Sequence, residues 1–457
     1  MKALYDSKSK TIDDQGLKSL FTEEEKYKTW LLFESALAEA QAEYNFIPKK
    51  AAEEIKDAAK LENLDLKEMD RIYKEIGHGF VPFLKVLVKA CPPDSGKYVH
   101  YGITTQNIQQ SSQLYILKKA HTIFMRLIGQ ILENLSTLAS DNKNTVMAGR
   151  THGRHAIPIT YGYKVSVWIS EFINCYQRMA EAEKRVFQIM MGGAVGTFSS
   201  MPDIGMKVQN RVAELVGMYP MAVPSRNIST HKLEYMSNLA LLANCCHKIA
   251  EEVYSTTLEE IAEVSEGFSK GTVGSSTMPH KINPKLAKGI IANSQKLYSL
   301  PGTGMYSAVR PYEGDSSSYM LFDGLLEESM ELITEILIRC EELTRTLTVH
   351  KDRMLHNAKR NRGLDNSEYV MMKLAEKLGK DQAHSLMYGI AMKTAAEGQE
   401  FYDNLRENEQ IRANFNDKEI KNMIEPGNYI GLAAELAEKE AARAKETAKE
   451  ISQNYGG

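Results

Sequence analysis

The chain has 457 residues, a formal net charge of −3, 43% hydrophobic and 25% charged residues. That length exceeds what one hydrophobic core usually serves, so two or three domains are expected. The near balance of charge argues against a nucleic-acid-binding surface or a basic membrane face. No apolar run is long enough to span a bilayer, and Met1 to Asp6 lacks the apolar core of a signal peptide. Cys91, Cys175, Cys245, Cys246 and Cys340 show no metal-ligand spacing, and Cys245-Cys246-His247 lies inside a helical apolar pattern. A reduced cytoplasmic enzyme is expected.

Residues 1–21 read as an irregular lead-in. Thr22-Glu23-Glu24-Glu25 has capping-box spacing and opens a helix predicted to run to about Phe46. Prolines are absent between Pro93 and Pro158, between Pro224 and Pro279, and between Pro311 and Pro426. Proline costs about 3 kcal/mol inside a helix, so these tracts permit long helices. Leu114, Leu117, Phe124, Ile128, Ile131, Leu135 and Leu138 recur at spacings of three, four and seven, the stripe of a packed helix. Val165, Trp168, Phe172, Tyr176 and Met179 repeat the pattern, and no comparable run of alternating β-branched residues occurs. The fold class is all-α or nearly so, with a helical bundle at its centre.

Polar blocks interrupt these tracts. His78, between Gly77 and Gly79, reads as a cap or surface residue at a helix end. In Lys97-Tyr98-Val99-His100-Tyr101-Gly102-Ile103-Thr104-Thr105-Gln106-Asn107, Gly102 permits a tight bend and two hydroxyls precede a helix starting near Asn107. Helix N-termini attract carboxylates, although an ordinary N-cap cluster has the same appearance. His152 and His155, in Gly149-Arg150-Thr151-His152-Gly153-Arg154-His155, could share a helical side as metal ligands, but no third ligand is evident. Met191-Gly192-Gly193-Ala194-Val195-Gly196-Thr197 lacks the end of a phosphate loop and reads as a supporting loop.

The stretch Gly274-Ser275-Ser276-Thr277-Met278-Pro279-His280-Lys281-Ile282-Asn283-Pro284 places hydroxyls, a cation and an amide on a loop whose two prolines restrict the backbone. It resembles the signature loop of the fumarase/aspartase superfamily, in the branch of adenylosuccinate lyases and carboxymuconate cycloisomerases. Trp30 to Ala42 resembles the first helix of the cycloisomerases. The 97–107 block is similar to the carboxylate-binding motif, with Thr105 at the usual serine and Asn107 at the usual aspartate. Arg150-Thr151-His152-Gly153 resembles the motif whose histidine is the general acid of adenylosuccinate lyases and is usually missing from the cycloisomerases. Ser225-Arg226-Asn227 is similar to a later Arg-Asp pair, with Asn for Asp. Leu364 to Tyr369 and Pro426 to Gly431 resemble the shared C-terminal helical domain, and residues 432–453 are expected to form a solvent-facing terminal helix.

The resemblance implies three helical domains, 1–105, 106–355 and 356–457, whose long central bundle forms the core of a homotetramer with active sites shared between subunits. It implies an anti β-elimination that needs no metal or organic cofactor and acts on a small-molecule carboxylic acid, with no nucleic-acid or membrane partner. Ser275 is the expected base, His152 the acid and Lys281 the catalytic cation. His78, Thr104, Thr105, Gln106, Ser276, Asn283 and Arg310 are the expected substrate-binding set. Ser275 as an acyl nucleophile would lack the G-x-S-x-G elbow. Three departures point away from a nucleotide, whose phosphate needs charge-assisted partners: no Arg-Tyr near the start, Gly314 where the family has an arginine, and Asp323 nine residues on. Lys288 also stands where a glutamate is usual. Cleavage of a C–N bond in a succinyl- or aspartate-like acid is the leading expectation. Adenylosuccinate lyase proper, carboxymuconate cycloisomerase, elimination of another amine from a non-succinyl acid, and an inactive helical protein are the alternatives.

Overall fold

The Thr22 hydroxyl accepts the Glu25 N–H at 3.3 Å and opens helix α1, Glu23–Glu43. The computed structural model describes residues 10–267, 275, 277, 278 and 280–456. Helix α1 buries Trp30, whose ring meets Phe80 and Phe83 edge-on at 4.7 and 5.2 Å. It also pins the polar block that follows. Buried Glu34 accepts from His100, 2.7 Å from Nδ1, and Gln41 donates to the Tyr101 carbonyl at 2.6 Å. Helix α2, Leu66–Ile76, ends at Gly77 in the left-handed region, φ 59°, and α3 follows as Val81–Ala90.

Helix α4, Thr105–Asp141, is 37 residues long, roughly 55 Å at 1.5 Å per residue. Its predicted stripe is buried except for half-buried Leu138. Around it stand α5 (Tyr161–Val186), α6 (Thr230–Thr256), α7 (Lys285–Ala308) and α8 (Ser316–Thr346). Helix α4 packs on α5 and α8, and α6 on α5, α7 and α8. Among the described residues, no helix is long and apolar enough to cross a membrane.

Two expectations change. His152 and His155 share no helical side: Val146–Thr151 (β1) and Arg154–Thr160 (β2) form an antiparallel hairpin closed by His152 and Gly153, φ 52° and 72°. Two positive φ angles suit the twist of a two-residue hairpin. The histidine–glycine pair was the available turn signal, but a proline and a register irregularity obscure the strand alternation. The terminal helix α9, Ala433–Tyr455, does not simply face solvent. Ala437, Ala441, Ala444, Ala448 and Ile451 are buried, and the helix packs on α4 and α5. Its small residues permit close approach, so that Ile451 Cγ2 lies 3.1 Å from where a Cβ on Gly129 would stand. A separate core, from Val370 to Met423, lies in the C-terminal part.

Candidate active site

The hairpin after α4 carries His152 exposed at its tip. It is anchored from below. Arg150 grips fully buried Glu263 through two bonds of 2.9 and 2.6 Å, and Asn357 donates to the same carboxylate at 3.0 Å. His155 Nδ1 lies 3.2 Å from buried Asp365, so this histidine is committed to the Leu364-Asp365-Asn366 segment. Removing one partner of a buried charged pair strands the other. Glu263→Ala is expected to lower stability by about 3 kcal/mol or more, read as a lower denaturation midpoint with an unchanged slope.

Glu263 leads into the signature loop. Its near end is closed by Glu266, whose carboxylate accepts the N–H groups of Leu286 and Ala287 at 2.9 and 2.7 Å and so caps α7. Residues 266 and 286 are therefore held together and fix the base of the loop. The half-buried Ser275 Oγ accepts the backbone N–H groups of Thr277 at 3.3 Å and Met278 at 3.1 Å. Two N–H dipoles converging on one oxygen favour its anionic form, which is what a serine base requires. Lys281 is exposed, its N–H bonded to the Met278 carbonyl at 3.0 Å, and Asn283 is half-buried. Ser276, expected to bind substrate, lies outside the described residues.

The remaining expected residues sit at the other end of the bundle. His78 Nδ1 accepts the N–H groups of Phe80 and Val81, both at 3.1 Å, and caps α3. Thr104 precedes α4, Thr105 is its first residue, and both are half-buried. Gln106 is engaged along its own helix, donating to Gln109 and accepting from Gln110, both at 3.0 Å. Asn107 Oδ1 accepts from Thr104 N at 3.2 Å and Gly193 N at 3.0 Å. The acceptor that ties the 192–197 loop to α4 is thus kept without a charge. Buried Arg310 follows α7.

Residues 9–296 match the family model described as Lyase, and residues 363–439 match that of the adenylosuccinate lyase C-terminus. The chain belongs to the lyase family of the fumarase/aspartase superfamily. Adenylosuccinate lyase of Methanocaldococcus jannaschii is 34% identical, with 93% of this chain and 92% of that protein covered. N-acetyl-S-(2-succino)cysteine lyase of Enterococcus italicus is 32% identical, with 93% of each covered. The 3-carboxy-cis,cis-muconate lactonizing enzyme of Pseudomonas putida superposes with a TM-score of 0.88 at 25% identity, covering 98% of this chain and 99% of that one.

In the lyase, the expected residues therefore form two groups separated by the length of the bundle. His152, Ser275, Lys281 and Asn283 belong to the end where α4 finishes and α7 begins; Thr104, Thr105, Gln106 and Arg310 belong to the opposite end. Helix α7, 24 residues long, alone sets about 36 Å between Asn283 and Arg310. Glu266 was not foreseen, because an acidic residue nineteen positions before a helix start gives no local signal. Arg226, noted in the sequence only for its likeness to the Arg-Asp pair, stands beside Gly314: a Cβ there would overlap the Arg226 guanidinium, so this side chain fills the space beside the glycine. Among the described residues, no group of three or more His, Cys, Asp or Glu could hold a metal ion. Cys245 instead faces Cys175 across the α5–α6 interface at 3.3 Å.

Proposed function

We propose that this lyase catalyses a cofactor-independent anti β-elimination that breaks the C–N bond of an N-substituted succinate- or aspartate-like acid and releases fumarate. The observation that carries the reading is the Ser275 oxygen held by two backbone N–H groups on the signature loop. Ser275, as alkoxide, takes the proton from the carbon next to a carboxylate. The electron pair moves first onto that carboxylate as an aci-carboxylate, then forms the carbon–carbon double bond as the C–N bond breaks. His152 protonates the departing nitrogen. Lys281 and Asn283, with the Thr104 and Thr105 hydroxyls, hold the charge that develops.

These groups meet only if copies of the chain pack with opposite ends of their bundles together. A homotetramer with shared sites, in the cytoplasm, is our reading. It is supported by the separation of the two residue groups and by exposed apolar side chains such as Tyr306 and Val309 near the Arg310 end. A second reading, adenylosuccinate lyase proper, is favoured by the 34% identity to the archaeal enzyme. Against it stand Gly314 and Asp323 at positions where the family carries arginines.

The test follows fumarate by absorbance. Adenylosuccinate, argininosuccinate, aspartate, N-alkyl aspartates and an S-(2-succino) thioether are offered in turn. We expect turnover of an N-substituted aspartate with little on adenylosuccinate. Fast release of AMP would instead select the second reading, and preference for the thioether would reassign the leaving atom to sulfur.

A further inference from the structure

Beside Gly314, where α6 begins and α7 ends, three cations lie together below the surface. Lys232 is 1% and Arg310 8% exposed, and Arg226 is half-buried. Arg310 Nη1 donates to the Arg226 carbonyl at 2.8 Å, which leaves its Nε and Nη2, both buried, without a hydrogen-bond partner; Arg226 Nε is in the same state. Lys232 Nζ lies 3.0 Å from Gln113 Oε1 and 3.5 Å from Asp323. Burial lowers the pKa of the Arg310 guanidinium, and it pushes His231 beside it down to about 3, so that this imidazole adds no charge. Asp315 stands at the edge, its carboxylate accepting the Ser318 N–H at 2.9 Å as the cap of α8.

The negative charges of Asp323 and Asp315 act on the Arg310 guanidinium but leave its Nε–Nη2 edge without a hydrogen bond, and that edge is the fork that receives a carboxylate through two parallel bonds. Three cations face Asp323 and Asp315, so at most one positive charge is left over, which matches a carboxylate better than a doubly charged phosphate. The cluster also shares its end of the bundle with Thr104 and Thr105. Pro224, two residues before Arg226, packs against Gly192 and Gly196, and Gly193 of that loop donates to Asn107. Tyr312, two residues after Arg310, is 83% exposed.

We propose that Arg226, Lys232 and Arg310 form a pocket for a carboxylate carried by the leaving group, so that the lyase selects succinate-type acids whose departing amine is itself acidic. The inference rests on the elimination proposed above and adds to it the class of leaving group. The pocket and the elimination are tested separately. Calorimetry measures binding of N-(carboxymethyl)aspartate and of N-ethylaspartate, which lacks the third carboxylate, while fumarate release is followed in parallel. The wild type is expected to prefer the carboxymethyl compound at least about tenfold, and Arg310→Leu to erase that preference. Arg226→Gln, at a half-buried position, gives the same reading if Arg310→Leu does not fold. Preference without fumarate release leaves the pocket standing and removes the elimination. Fumarate from both compounds with equal affinity keeps the elimination and overturns the pocket. Equal affinity together with loss of oligomer mass in Arg310→Leu also overturns it, assigning the cations to a carboxylate of a second copy.

Discussion

Ser275→Ala is expected to lower fumarate release by about 10²–10⁴-fold, with KM little changed and the melting temperature nearly preserved. The size follows from the role of the lost atom. Alanine leaves the Thr277 and Met278 N–H groups pointing at an empty position, so the oxygen that would take the proton and the dipoles arranged to stabilise its charge stop working as one unit. The stability cost stays small because the N–H of exposed Met278 and Thr277 can turn to water. An inactive helical protein would be indifferent to this change. Retention of more than a tenth of the rate would place the base elsewhere in the loop.

Mixing two inactive variants is expected to restore activity that neither has alone. Ser275→Ala damages the end where α7 begins, whereas Thr105→Val damages the end where α4 begins, some 55 Å away along α4 by its rise per residue. Loss of the Thr105 hydroxyl should cost about 10²-fold if it supports the charged carboxylate. In the closed symmetric assembly proposed above, the site would take Ser275 from one copy and Thr105 from another. Dissociation of the mixed variants followed by reassembly then regenerates some sites with both residues intact. Rate measured against mixing ratio, beside mass by light scattering, checks this. Additive residual rates at every ratio, or full activity in a monomer, would show that one chain builds its own site.

Much of the proposed site was legible because its parts are local. The Ser275 loop announces itself through prolines and polar residues packed into eleven positions, and the α4 stripe repeats at the helical period. His78 shows the limit of such reading. Its local reading as a cap is met by the bonds to Phe80 and Val81, and those bonds leave only Nε2 for the substrate role that family resemblance implies. The hairpin was not legible because His152-Gly153 signals a turn only once its flanking strands are known to pair. The buried face of α9 was misread because alanines spaced by three and four are weakly apolar. They count as core only against a facing groove such as the one at Gly129.

The helical class, the family and the polar loops proposed to carry the chemistry were all readable from sequence, since each depends on short-range spacing and backbone preference. Tertiary structure decided where those loops stand: Glu266 reaching across to cap α7, Arg226 filling the space beside Gly314, and the expected site divided between the two ends of the bundle. The reason is physical. Helix propensity and turn chemistry act over a few residues, whereas ion pairing, close packing and the length of a rigid helix act between segments that no local pattern relates.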